Sequence, residues 1–468
     1  MGAGTSADCA ADRGRRDNTR DVALDQEADG YYSVLVADAG AGTRYRYVLD
    51  GDALADPASR YQPEGPFGPS EVIDPERFHW EHSLARGVEL AGQVICELHA
   101  GTFTPEGTWR SAIAKLPLLA DSGHHDHRTD AGISVPWSLR LGLRRCVSVC
   151  ADTSVHGTPD DFRSFVDHAH ATGLGVILDV VYNHLGPDGC VFGRYARSYY
   201  ARVYENEWGD ALNFDGPDAQ PVRDYFASNA AYWIDEFQLD GLRLDATQAI
   251  HDRSSRHIIA DLACRARSAA RGRSIMLIAE SESQTVRLVQ SLDAGGYGLD
   301  ALWNDDFHHS AIVAMTGKRE AYYSDHRGTP QELISAAKRG YLFQGQRYAW
   351  QKQPRGTRTD GLPARAFVNY LENHDQIANA GDGSRVRFQT SPGRYRAMTA
   401  LTLLMPGTPM LFQGQEFGST APFVFRRSQT GARQGGSTGT YRVRQAVSEP
   451  RIGGNAGAGA GAARSGDL

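Results

Sequence analysis

The stretch Asp240-Gly241-Leu242-Arg243-Leu244-Asp245 decides how this chain is read. It reads as a short strand ending in an acid. Tyr232-Trp233-Ile234-Asp235-Glu236-Phe237, just before it, reads as the end of a helix. Side chains alternate along a strand, so Arg243 and Asp245 share one face while Leu242 and Leu244 share the other. One face packs; the other presents a guanidinium beside a carboxylate at the strand's C-terminal end. A cation there favours the ionised carboxylate, the form a nucleophile needs. Taken alone, the pair is explained equally well as a surface ion pair.

Three further segments have the same form, an apolar strand that ends in polar residues. They are Gly175-Val176-Ile177-Leu178-Asp179-Val180-Val181-Tyr182-Asn183-His184, Ile275-Met276-Leu277-Ile278-Ala279-Glu280-Ser281, and Ala366-Phe367-Val368-Asn369-Tyr370-Leu371-Glu372-Asn373-His374-Asp375-Gln376. In this order the four resemble the signature regions of the α-amylase superfamily of retaining glycoside hydrolases. Four ordered matches are specific where one would be weak. The resemblance spans most of residues 56–119 and 157–423.

The chain has 468 residues, 41% hydrophobic and 22% charged, enough for a large core and two or three domains. A formal net charge of -7 argues against a nucleic-acid partner. The six cysteines are scattered. Cys146 and Cys150 look most like a pair, but no second pair or histidine partner follows, so zinc is not expected. No leader-like segment or long apolar run stands out, which predicts a cytoplasmic protein without membrane contact.

The chain divides into three parts. Residues 1–85 read as a truncated N-terminal β-sandwich with a linker, marked by alternation through Tyr31–Val36 and Tyr45–Leu49. Asp56 to Pro63 and on to Ser70 is a Pro- and Gly-broken loop that resembles the linker of the malto-oligosyltrehalose trehalohydrolase subfamily. Residues 86–423 read as an α/β catalytic unit, a (β/α)8 TIM barrel. Val94–His99 is its first strand and a helix is expected over Trp109–Leu119. A second helix is expected after Thr158, with Thr158 as cap, Pro159 in the first position, Asp160 and Asp161 in the first turn, and Gly173 as stop. Helix and strand alternate to about Gln415, which predicts parallel strands with their chemistry at the C-terminal ends. Residues 424–468 lack periodicity, end in a Gly/Ala-rich run and are expected to be disordered. The family's C-terminal β domain thus reads as missing.

Residues 123–146 break the pattern. A second barrel strand belongs here, yet the sequence runs His124-His125-Asp126-His127-Arg128 and then Leu/Arg-rich. The family's apolar strand and its Gly-Trp-Gly-Tyr-Asp-Gly loop, whose Tyr stacks on sugar, are absent. A shifted reading frame permits both, which suggests compensating frameshifts. A barrel with a strand gone cannot close. The three histidines lack a strand or helix pattern to hold a metal rigidly.

The resemblance implies the roles. Asp245 is the expected nucleophile, Glu280 the acid/base, and Asp375 the acid that bonds sugar hydroxyls and stabilises the transition state. Glu280 ends an apolar strand, where desolvation would raise its pKa towards that of an acid catalyst. Arg243, His184 and His374 match residues that hold the sugar at the cleavage subsite. Asp179 matches a structural acid beneath it. An isolated histidine is more often a satisfied core residue; beside matched acids His184 and His374 read as functional. Leu299-Asp300-Ala301-Leu302-Trp303-Asn304-Asp305-Asp306-Phe307-His308-His309, with Thr316-Gly317, Tyr322-Tyr323 and Trp208–Phe214, resembles the trehalohydrolase signature. Asp305, Asp306, His308 and His309 are therefore expected at the substrate. They could instead bind metal, but the family uses none there and no further ligand is placed, so no metal and no cofactor are expected. At Asn379–Gly383 the family more often has an Arg, so one secondary sugar contact is not expected here. The implied reaction is hydrolysis of the α-1,4 bond next to the trehalose unit of malto-oligosyltrehalose, a step in trehalose biosynthesis. The rivals are a related α-glucan hydrolase or branching enzyme, and an inactive homologue that at most binds sugar.

Overall fold

The computed structural model describes residues 19–82, 86–121, 156–186, 190–206, 209–380 and 383–424, together with the backbone of residues 7–12, 122 and 132–136. The expectations placed on His124, His125, His127, Cys146, Cys150, Trp208, Gly381, Asp382 and the segment 425–468 lie outside the described residues.

Short apolar runs bounded by turns become strands, and eight of them close into one parallel barrel. In chain order they are Ile95–Glu97, Gly132–Pro136, Gly175–Val180, Gly241–Leu244, Met276–Ala279, Ala301–Trp303, Phe367–Tyr370 and Thr408–Phe412. The last strand pairs with the first, Leu411 opposite Cys96. This is the α/β (β/α)8 barrel expected from the sequence.

The second strand corrects one expectation. Gly132–Pro136 sits between the first and third strands, Ile133 opposite both Cys96 and Val176. The ring therefore closes although the family's apolar run is missing. Backbone pairing needs extended residues rather than particular side chains, and Ile133-Ser134-Val135 supplies two β-branched ones.

Alternation sorts the two faces of each strand. Leu242 and Leu244 join Phe162, Phe165, Phe226, Trp233 and Ile234 in the core between strands and helices. Ile95, Ile177, Met276, Ile278, Trp303, Val368 and Met410 fill a separate cluster. Each Leu is at least 98% buried, worth roughly 1.5–3 kcal/mol. Gly241 permits the tight strand contact, since a Cβ there would stand 2.0 Å from the Met276 carbonyl oxygen.

The helices follow their local signals. Pro159–Ala171 starts at Thr158, whose side chain accepts from the Asp161 amide in a capping box, and Gly173 ends it at φ +76°. The single helix expected over Trp109–Leu119 is instead two, Trp109–Ile113 and Leu116–Ser122. Pro117 has no N–H to continue the first into the second.

Ahead of the barrel, an antiparallel sheet orders Arg20–Ala23, Ala7–Asp12, Arg44–Leu49 and Asp52–Leu54, with Ser70–Glu71 also paired to Arg44–Leu49. The linker after it is tied down: Arg60 Nε donates to both Glu236 oxygens at 3.1 Å, and Tyr225 donates to the Pro57 carbonyl at 2.6 Å. Among the described residues, no helix is long and apolar enough to cross a membrane.

Candidate active site

The C-terminal ends of the third, fourth, fifth and seventh strands bring Asp179, Asp245, Glu280 and Asp375 together around one cation. Arg243 extends from the fourth strand. Its Nη1 donates to Asp179 at 2.6 and 2.7 Å and to Asp245 at 2.8 Å, and its Nη2 donates to Glu280 at 2.6 Å. The guanidinium lies 3.9 Å from the centroid of the Trp303 ring, on the sixth strand, two strands along the barrel. Arg243 is 1% exposed. It organises the acids from beneath, whereas the resemblance implied a direct hold on the sugar.

The Asp245 and Glu280 side chains are 24% and 21% exposed, so both reach the surface of the cleft. Burial pushes the Asp245 carboxyl up, but the Arg243 charge, a hydrogen bond from Asn183 and the charge of His374 outweigh it and hold the group below its ordinary value. Glu280 goes the other way. Burial and the neighbouring charges of Asp245, Asp375 and Asp305 overcome Arg243 and hold it well above the ordinary carboxyl range. Two carboxyls with opposite shifts are the mark of a nucleophile beside a proton donor.

The backbone contributes one more group. Ala246 adopts left-handed geometry at φ 39°, ψ 54°, rare for a residue with a Cβ. That turn aims its N–H at Glu280 Oε2, 3.1 Å away.

Asp375 lies in the first turn of His374–Ala378, which Asn373 caps. Burial raises it against the opposing charge of His374, and Asn379 donates to it at 2.8 Å. His374 Nδ1 stands 2.6 Å from Glu97, which also accepts the His374 amide at 3.0 Å. The charge and hydrogen bond of Glu97 overcome burial and raise His374 to about 9, so it is a cation at neutral pH. His184 Nδ1 hydrogen-bonds Asn183 Oδ1. Asp179 is pushed up to about 6 by burial, against Arg243.

The residues after the sixth strand divide. Asp305 faces the acids: Tyr370 donates to it, and burial holds it at about 6. Asp306, His308 and His309 turn inward. Asp306 is fully buried and accepts the amides of Leu342 and Phe343 at 2.8 and 2.7 Å. His308 bridges the Leu371 carbonyl at 3.0 Å and the Tyr323 hydroxyl at 3.2 Å, and burial drives it down to about 3. His309 packs against Tyr322, Tyr323 and His326.

Sequence reasoning missed Glu97, Asn183, Trp303, Tyr370 and Arg355 as members of this network. Asn183, Trp303 and Tyr370 stood inside quoted segments. Nothing local marks Arg355, which approaches Asp305 at 3.6 Å from a distant loop.

No protein-family model matches the chain. It is 37% identical to a malto-oligosyltrehalose trehalohydrolase of Saccharolobus solfataricus, with 86% of this chain and 70% of the relative covered. It is 40% identical to the enzyme of that name from Arthrobacter ramosus, with 85% and 70% covered. A branching enzyme of Rhodococcus jostii is more distant, 26% identical with 85% and 56% covered. A solved structure from Salmonella typhimurium, provisionally assigned as an alpha amylase, superposes with a TM-score of 0.82 at 35% identity, covering 91% of this chain and 72% of that one.

Proposed function

The chain belongs to the malto-oligosyltrehalose trehalohydrolases, glycoside hydrolases of the α-amylase family, and we propose that it cleaves the α-1,4-glucosidic bond next to the trehalose unit of malto-oligosyltrehalose. The observation that carries this reading is the single guanidinium of Arg243 holding Asp245 and Glu280 side by side with opposite shifts.

Asp245, ionised, attacks the anomeric carbon of the glucose on the malto-oligosaccharide side. Glu280 gives its proton to the glycosidic oxygen, and trehalose leaves with that proton. The glycosyl ester on Asp245 is then attacked by water, whose proton returns to Glu280. Asp245 is freed and the sugar leaves with its configuration retained. Asp375 accepts hydrogen bonds from hydroxyls of the same glucose. His374, His184 and Asp305 line the subsite and supply charge and hydrogen bonds that grow in the transition state. Arg243 and Asp179 position the two reacting acids. The site needs no metal or redox group for these steps. A cytoplasmic place in trehalose biosynthesis fits this reaction.

Product analysis tests the proposal. Malto-oligosyltrehalose should yield trehalose and a malto-oligosaccharide, and Asp245→Asn should yield neither. New α-1,6 branches or cleavage of uncapped malto-oligosaccharides at equal rate would favour the branching-enzyme or general glucan-hydrolase reading. A folded protein that releases no trehalose would reject the proposal.

A further inference from the structure

The helix Asp305–Thr316 carries a second group of side chains that the glycosidic chemistry does not use. Asp306 and His309 on that helix meet His326, which follows the turn Ala321–Tyr323. One ligand-type atom from each of the three lies within 4.8 Å of the others. Their exposures are 0%, 3% and 0%. Asp306 Oδ1, His309 Nδ1 and His326 Nε2 are wholly buried and make no hydrogen bond. Buried polar atoms are ordinarily paired, so three orphans in one small cluster call for an occupant.

The second polar atoms of Asp306 and His326 are already fixed. Asp306 Oδ2 is held by the amides of Leu342 and Phe343. His326 Nδ1 lies 3.2 Å from Ser310 Oγ, which orients the ring and leaves Nε2 to face inward. Two imidazoles and a carboxylate suit a borderline divalent ion such as zinc better than calcium or magnesium. We propose that Asp306, His309 and His326 bind one divalent transition-metal ion of the zinc class, with water as the fourth ligand.

The charge balance permits it. Arg355 Nε lies 3.7 Å from Asp306 Oδ1 and opposes a cation. Asp305, Asp306, Asp325 and Glu332 outnumber it around the cluster. Arg355 Nε and Nη2 make no hydrogen bond beyond these long ion pairs, and a metal-bound water or hydroxide offers them an acceptor. Bonds of about 2.0–2.1 Å place tetrahedral ligands about 3.4 Å apart, so the side chains close in by at most about 1.4 Å. The ion would pin the helix to the His326 turn, away from the reacting acids.

The test is cobalt(II) titration of the purified, metal-stripped full chain, followed by visible absorption. One equivalent should bind with tetrahedral-type bands that zinc then displaces, and zinc should raise the Tm. His326→Gln and His309→Gln, each confirmed folded by circular dichroism, should both lose the bands and the Tm rise. No stoichiometric band in the folded parent overturns the proposal. So does binding that survives both substitutions, which would point to His124, His125 and His127 instead.

Discussion

Arg243 Nη2 donates to Glu280 Oε2 at 2.6 Å, so a permanent cation touches the carboxyl assigned to deliver a proton. Alone it would lower that group. Burial and the charges of Asp245, Asp375 and Asp305 reverse the sign. Removing one of those charges should therefore let Arg243 gain ground. In Asp305→Asn the alkaline limb of kcat/KM, which follows loss of the Glu280 proton, should move to lower pH. The acid limb, set by Asp245, should stay nearly in place. A pH–rate profile decides it; an alkaline limb that stays put or rises counts against Glu280 as the acid.

In the proposed mechanism Arg243 positions the reacting acids, and its fork bonds three of them at once. Lys replaces it with a point charge that cannot bond Asp245 and Glu280 in two directions. Arg243→Lys should lower kcat by about 10²–10⁴-fold with a much smaller change in KM. Steady-state kinetics on the trehalose-capped substrate gives the split. A change confined to KM would mean that Arg243 holds ground-state sugar instead.

Ala246 is held left-handed so that its N–H reaches Glu280. A β-branched residue resists that geometry more strongly than Ala. Ala246→Val should cost about 1–3 kcal/mol of stability and reduce kcat, whereas Ala246→Gly should keep both. Urea unfolding and initial rates separate the two. Equal behaviour of Val and Gly would remove the strain argument.

The second strand bears directly on whether the barrel works. Ser134 sits inside it, opposite Glu97 on one side and Ile177 on the other. Proline cannot donate to a ladder in an interior strand. Ser134→Pro should destabilise the chain by about 3 kcal/mol or more, read from the urea midpoint. An unchanged midpoint would mean that this segment does not complete the ring in solution.

Legibility in the sequence followed the range of the interactions involved. The Arg243–Asp245 pairing was readable because alternation along one strand settles which side chains share a face. The helix from Pro159 was readable because its cap and stop lie within a few residues of its ends. The strand Gly132–Pro136 was not, since its place depends on hydrogen bonds to residues far away in the chain and little on its own side chains. The inward turn of Asp306 and His308 was equally hidden. Adjacent residues on a helix point about 100° apart, so one motif can put Asp305 at the acids and Asp306 behind them. Arg355 and Glu97 entered the site only through folding.

Glu97 and His374 lie 277 residues apart in sequence and 2.6 Å apart in the fold, and their pairing should shape stability against pH. Burial opposes the imidazolium, but Glu97 raises His374 from an ordinary 6.5 to about 9. A raised folded value means that the folded state holds the proton more tightly than the unfolded chain does. The stabilisation is therefore complete below about pH 6.5, shrinks as pH rises, and is gone above about 9. It amounts to roughly 3 kcal/mol at its fullest. The gap in unfolding free energy between the parent and His374→Asn should be widest at pH 6 and narrow towards pH 9.5. Glu97→Gln should flatten the parent's dependence in the same window. A gap that widens with pH would show that His374 is neutral in the folded protein, and its proposed place as a charged partner of Asp375 would fall with it.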